Sequence, residues 1–285
     1  MAKGRNELPC VSRKGNQMDT LSFADDYTIK PALPVSDIAE LRQTIRGELV
    51  FPDDPGYPRA RRVWNGMVDR RPAALIYCAN PDDVVTAVNF ARTRKLVVAV
   101  RAGGHNVAGL SVCDAGVVID VSRMKHIEVD PVRRTARAQA GLSLGEFDAA
   151  TQSYGLATTM GVNADTGIAG LTLGGGFGKL GRKHGLSCDN LTAAEIVTAD
   201  GRLLRASATE NVDLFWAVRG GGGNFGIVTT FEYRLFPVGP LLMSGSVLYG
   251  YDDARGAMRF YHAFASTAPD ELSLDAALVT EPSGE

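Results

Sequence analysis

Arg101-Ala102-Gly103-Gly104-His105-Asn106 decides how this chain is to be read, together with Gly167-Ile168-Ala169-Gly170-Leu171-Thr172-Leu173-Gly174-Gly175-Gly176-Phe177-Gly178. Both stretches adjoin apolar segments and offer backbone N–H groups with no side chain in the way. A large, phosphate-bearing cofactor can lie against such a main chain. The first stretch holds a histidine. Just before it, Leu96-Val97-Val98-Ala99-Val100 is short, continuous and β-branched, which reads as a strand buried on both faces that delivers the chain into Arg101. Val117-Val118-Ile119-Asp120-Val121 reads the same way.

Composition bounds the alternatives. With 285 residues, 45% of them hydrophobic and 22% charged, the chain has the make-up of a soluble globular protein of one large domain or two smaller ones. Average usage of about 7% would supply roughly 20 glycines. The chain has 32, clustered and without a collagen-like period. A formal net charge of −2 gives no basic field for nucleic acid or an anionic membrane, so neither is expected as a partner. The four cysteines have no C-x-x-C pair and no metal-type spacing with the four histidines, which predicts free thiols and no metal site. No window is apolar enough to span a bilayer and the N-terminus lacks a leader-like apolar region, so a reducing cytoplasm is the expected location.

Along the chain, residues 1–30 are polar and patternless and read as a flexible extension. Asn80-Pro81-Asp82-Asp83 supplies a cap, a proline at the first helical position and two acids for the dipole, predicting a helix from Pro81 to about Arg94. Ser143 with Glu146 forms a capping box for a helix that runs to Gly155. Asp200-Gly201 between Ala194–Ala199 and Arg202–Ala206 signals a hairpin. A helix over Asn211–Val218, a loop over Arg219–Gly226 and a strand over Ile227–Phe236 follow. Leu242–Tyr249 is strand-like and Asp252–Ala265 helix-like. A Rossmann fingerprint fails on context, because it needs a strand entering, a helix leaving and an acid about 20 residues on.

The order and spacing of Arg101-x-Gly103-Gly104-His105-Asn106, the Gly167–Gly178 block, Lys183-x-Gly185-Leu186-x-x-Asp189-Asn190 and Arg219–Gly226 resemble the berberine-bridge-type FAD-linked oxidases. These sit within the wider family that shares the flavin domain of vanillyl-alcohol oxidase and p-cresol methylhydroxylase. The resemblance covers roughly Pro72 to Pro237. It implies an α+β fold with an FAD-binding domain of two subdomains over residues 31–238, and the beginning of an α/β substrate domain over residues 239–285.

Carried over by position, the resemblance makes Arg101, Ala102, Gly103, Gly104 and Asn106, with Gly109 beyond, the pyrophosphate loop. It makes His105 the residue bonded covalently to the flavin 8α-methyl. Gly161, Thr166, Gly167, Gly170, Thr172, Gly175, Gly176 and Gly178 would contact the ribityl chain and ring. Val197, Asn224, Phe225, Gly226 and Ile227 would approach from the other subdomain. Asn163 stands where bicovalent members carry a cysteine, which implies a single covalent bond. Lys183 and His184 adjoin the flavin motif and could be structural or line the active-site mouth.

The implied activity is hydride transfer from a hydroxyl- or amine-bearing small molecule to flavin N5, with electrons passed to dioxygen. Relatives place the catalytic base in a region beyond residue 285, so no base is assigned here. A truncated, non-catalytic flavin-binding fragment is the alternative.

Overall fold

The computed structural model describes residues 33–279; the expected extension at residues 1–30 lies outside them. The apolar runs form a first sheet from β1 (Glu48–Val50), β2 (Ala74–Tyr77), β3 (Val98–Arg101) and β4 (Val117–Asp120), ordered β1-β2-β4-β3. Strands β2, β4 and β3 run parallel, and β1 closes one edge antiparallel to β2. Helix α1 (Val35–Thr44) precedes β1, the single turn α2 (Tyr57–Ala60) follows it, and α3 (Pro81–Thr93) is the crossover from β2 to β3.

Alternation explains why β2, and β4 up to its terminal Asp120, are apolar. Ala74, Ile76, Val117 and Ile119 face the main core, while Leu75 and Val118 face a second cluster with Tyr57, Ala99 and Cys113. β3 departs from the expected burial on both faces. It is the edge strand, and Val98 and Val100 remain 41% and 39% exposed.

Helix α3 starts where the sequence says it should, with the Asn80 side chain accepting from the Asp83 N–H at 3.0 Å and Pro81 at the first position. The buried Asp83 carboxylate accepts from the backbone N–H groups of Arg46, Gly47 and Ala79 at 3.0, 3.0 and 2.9 Å, tying the approach to β1 and the exit of β2 to one helix.

The next strands are β5 (Ile127–Asp130), β6 (Thr135–Gln139), the two-residue β7 (Leu156–Ala157), β8 (Leu191–Val197), β9 (Leu203–Ser207), β10 (Ile227–Arg234) and the two-residue β11 (Phe236–Pro237). Five of them form an antiparallel sheet, β5-β6-β10-β8-β9, and β7 pairs with β11 separately. The expected strand Ile227–Phe236 therefore divides, because Phe236 changes partner to β7. Asp200-Gly201 makes the β8–β9 turn as read, with Gly201 at φ +81°. α3 packs on β4 and on β8, so one helix touches both sheets.

Helix α4 (Leu144–Gln152) opens with both halves of its capping box in place and is followed by Gly155 at φ +64°. Its Phe147 meets Tyr233 of β10 edge-on at 5.3 Å, and Tyr233 stacks with Phe231 at 5.8 Å in the centre of the second sheet. Fully burying a large apolar side chain contributes roughly 1.5–3 kcal/mol, so this cluster anchors the sheet.

Four more α-helices follow among the described residues: α5 (Ile168–Leu173), α6 (Gly181–His184), α7 (Val212–Ala217) and α8 (Ala254–Ala265). The first half of the second glycine block is therefore helical rather than loop. Residues 242–249 form no strand, although their pattern suggests one; Met243 and Leu248 stand in solvent with no ladder partner among the described residues. No helix of the described residues is long and apolar enough to cross a membrane.

Candidate functional site

Tyr77, Arg101 and Asp120 are the last residues of β2, β3 and β4, so three parallel strands end side by side. Arg101 is buried and engaged at all three nitrogens. Its Nε donates to the Asp120 carboxylate in a short ion pair. Its Nη2 donates to the Tyr77 hydroxyl at 3.1 Å, and its Nη1 donates to the carbonyls of Ala60 at 2.7 Å and Arg62 at 3.4 Å. Burial pushes the Tyr77 phenol up, with the Arg101 guanidinium opposing it. The Arg101 side chain is thus a strut inside the protein, and what it fixes is the start of the loop 102–106.

A second layer holds that loop from outside. The Trp64 N–H donates to the Gly104 carbonyl at 3.1 Å, Asn65 Nδ2 donates to the Val107 carbonyl at 2.8 Å, and Asn106 Oδ1 accepts from the Leu110 N–H at 3.0 Å. The Trp64 indole lies over His105 with ring centroids 5.6 Å apart and planes 23° apart. His105 Nε2 is 3.8 Å from Asp165 Oδ2. The segment 57–65 escapes sequence reasoning, since Trp64-Asn65 belongs to no periodic pattern.

The two glycine stretches meet. A Cβ on Gly103 would stand 2.5 Å from the Gly167 nitrogen, and one on Gly167 would stand 2.8 Å from the Gly103 nitrogen. The chains therefore cross backbone on backbone, a contact only glycine allows. The third glycine segment joins them, because α5 packs on the turn at 222–225. Gly226, at φ +141°, lies with its Cβ position 2.6 Å from the Val197 carbonyl. Gly161 is placed by the approach of Gly178 to Met160, where a Cβ would fall 1.7 Å from the carbonyl oxygen.

Most of the sequence-predicted residues are thus assembled around one seam, but several turn their side chains away from it. Thr172 Oγ1 hydrogen-bonds the Tyr233 hydroxyl at 2.8 Å in the core, Asn224 Nδ2 donates to the Gly221 carbonyl at 2.8 Å, and Val197 is fully buried. What they leave at the seam is backbone. Gly109 stands apart, packed toward Val68.

Thr158 and Thr159, just before Met160-Gly161, are buried with hydroxyls that have no protein partner among the described residues, as is Ser111. A cavity of about 650 Å³ lies beside the loop, lined by Trp64, Tyr77, Arg101, His105, Glu48 and Arg123 among others. Bare glycine backbone and a cavity at the carboxyl ends of parallel strands suit a large ligand rich in polar atoms.

His184 stacks on Phe236 at 3.8 Å, and burial together with the neighbouring Lys183 charge lowers its pKa. Lys183 pairs with Glu271 at 3.1 Å. Cys78, Cys113 and Cys188 are free and buried, and burial raises all three thiol pKa values. Cys10 lies outside the described residues. Among those described, no cluster could hold a metal ion.

Residues 72–207 match the family described as FAD binding domain. The chain is 36% identical over 234 residues to the FAD-linked oxidoreductase YgaK of Bacillus subtilis (strain 168), covering 80% of this chain and 52% of that one. The crystal structure of 6-hydroxy-D-nicotine oxidase from Arthrobacter nicotinovorans superposes with a TM-score of 0.67 at 38% identity, covering 68% of this chain and 43% of the other. The xylooligosaccharide oxidase from Myceliophthora thermophila C1, solved with xylobiose, gives 0.67 at 32% identity over 70% of this chain and 43% of that one. The chain spans about half the length of the relatives it matches.

Proposed function

We propose that this chain, which belongs by its FAD-binding domain to the FAD-linked oxidoreductases, holds FAD across the seam where its three glycine segments meet. It thereby serves the oxidation of a CH–OH or CH–NH group in a small molecule, with dioxygen as electron acceptor. The observation that carries this reading is the crossing of Gly103 over Gly167. Two loops joined without side chains present their amides together, as a pyrophosphate and a ribityl chain require.

On this reading residues 31–238 are the FAD-binding domain, its two subdomains being the two sheets, and residue 239 opens a substrate domain. When bound, FAD would supply a two-electron acceptor for a substrate hydride, with dioxygen as the terminal oxidant. The chain's own residues bind and orient. Backbone amides of 102–106 and 166–178 would hold the dinucleotide, and His105 would tether the ring through an imidazole nitrogen, a bond whose formation releases two hydrogens that dioxygen would accept. Asn163 offers no thiol for a second bond.

A second reading, a flavin-binding chain without turnover, draws support from the exposed apolar surface after residue 238, where Leu242, Tyr249 and Phe260 stand in solvent. One experiment tests both. Chain loaded with FAD and precipitated in acid should retain yellow colour and a mass increased by one FAD, and His105→Ala should lose the covalent label. Peroxide release on a panel of sugars, alcohols and amines then favours the oxidase, and labelled protein without peroxide favours the second reading. A colourless pellet from protein that bound FAD when native would overturn the tether.

A further inference from the structure

His105 and Asp165 are held at one point by two different loops. His105 follows Gly103 by two residues and Asp165 precedes Gly167 by two, and Gly103 and Gly167 are the crossing itself. The backbone around Asp165 is fixed independently. The carbonyls on either side of it, of Ala164 and Thr166, accept from the N–H groups of Gly145 at 2.9 Å and Leu144 at 2.8 Å, in the first turn of α4. The Asp165 carboxylate stands 3.8 Å from His105 Nε2, while Trp64 covers a face of the imidazole ring. The other charged groups around the cavity include Glu48, Arg62, Arg101, Asp120 and Arg123. Arg101 is committed to Asp120, and Arg123 to Glu48.

We propose that Asp165 is a positioning residue for His105: its carboxylate accepts the Nε2–H, so the neutral ring keeps its proton on Nε2 and its lone pair on Nδ1. This deepens, and rests on, the reading of His105 as the FAD tether. An imidazole acts as a nucleophile only through an unprotonated nitrogen, and which nitrogen that is depends on the hydrogen bond the other one makes. The 3.8 Å gap closes to hydrogen-bond distance by rotation of the exposed Asp165 side chain, which needs no bound ligand. Trp64 contributes the other constraint by limiting rotation of the ring.

The tautomer is directly readable. In nitrogen-resolved imidazole spectra of the FAD-free chain at about pH 8, above the ordinary histidine pKa, the His105 signals, assigned with His105→Ala, should show a single tautomer protonated at Nε2. Asp165→Ala should give a mixture of both tautomers, and Asp165→Glu should restore the single one. The Asp165 side chain is 76% exposed, so its removal leaves the packing intact.

In the same variants the initial rate of covalent FAD incorporation should fall about tenfold in Asp165→Ala and recover in Asp165→Glu, at unchanged non-covalent affinity. An unchanged single tautomer in Asp165→Ala overturns the proposal. If wild-type chain never takes up FAD covalently, the tether reading fails, and the tautomer populations still decide the role of Asp165.

Discussion

Gly103 and Gly167 exclude side chains because each stands against the other's backbone, with nothing flexible between them to give way. An alanine at either position should open the crossing and cost about 1–3 kcal/mol in urea unfolding, the range found for overpacked sites. FAD affinity should fall with it. Gly170 supplies the contrast: it lies one turn away on α5 with nothing within 4 Å of its Cβ position, so Gly170→Ala should be neutral or stabilising by up to about 1 kcal/mol. Equal losses at all three positions would mean that helix α5, rather than the crossing, sets the stability of the region. The importance of these glycines was legible in the sequence as a cluster. Their mutual contact was not, because nothing local in either stretch names its partner.

Helix α4 carries a charge that the fold does not satisfy. Asp148 sits partly buried on it, and burial raises its pKa above the ordinary carboxylate range. An acid whose folded pKa exceeds its unfolded one costs stability where it is ionised, and that cost fades as pH falls through the folded value toward the unfolded one. Asp148→Asn should therefore raise the melting temperature at pH 7 and change it little at pH 3; the reverse order would show that the carboxylate has a stabilising partner. Elements with local signatures were readable in advance: α3 from Asn80-Pro81, α4 from Ser143 and Glu146, and the β8–β9 hairpin from Asp200-Gly201. The edge position of β3 was not, since strand order is set by pairing across the sheet. The segment from Tyr57 to Asn65 stayed hidden for a different reason. Ala60 and Arg62 act through carbonyls and Trp64 partly through its N–H, which every sequence possesses.

Across the described residues, the part after residue 238 is held differently from the rest. Helix α8 has no buried residue, and its last turn and the segment after it are held by Arg182 on the Ala265 and Ala268 carbonyls, Lys183 on Glu271 and Lys179 on Asp275. Exposed ion pairs are worth about 0–1 kcal/mol each and weaken with salt. Among the described residues, limited proteolysis should cut first between residues 239 and 250, faster in about 1 M salt, and leave the chain up to about residue 238 uncut from β1 onward. First cuts within β8 or β10 would contradict this ordering. Residues 242–249 are strand-like in sequence, but a strand needs a neighbour to pair with, and no local pattern names one. The guanidinium of Arg101 has the opposite character. It joins the ends of three strands to the chain at 60–62, and Trp64 from that same chain rests on the ring of His105. The wall of the cavity and the loop 102–106 are therefore tied together, and in any account of motion they count as one body.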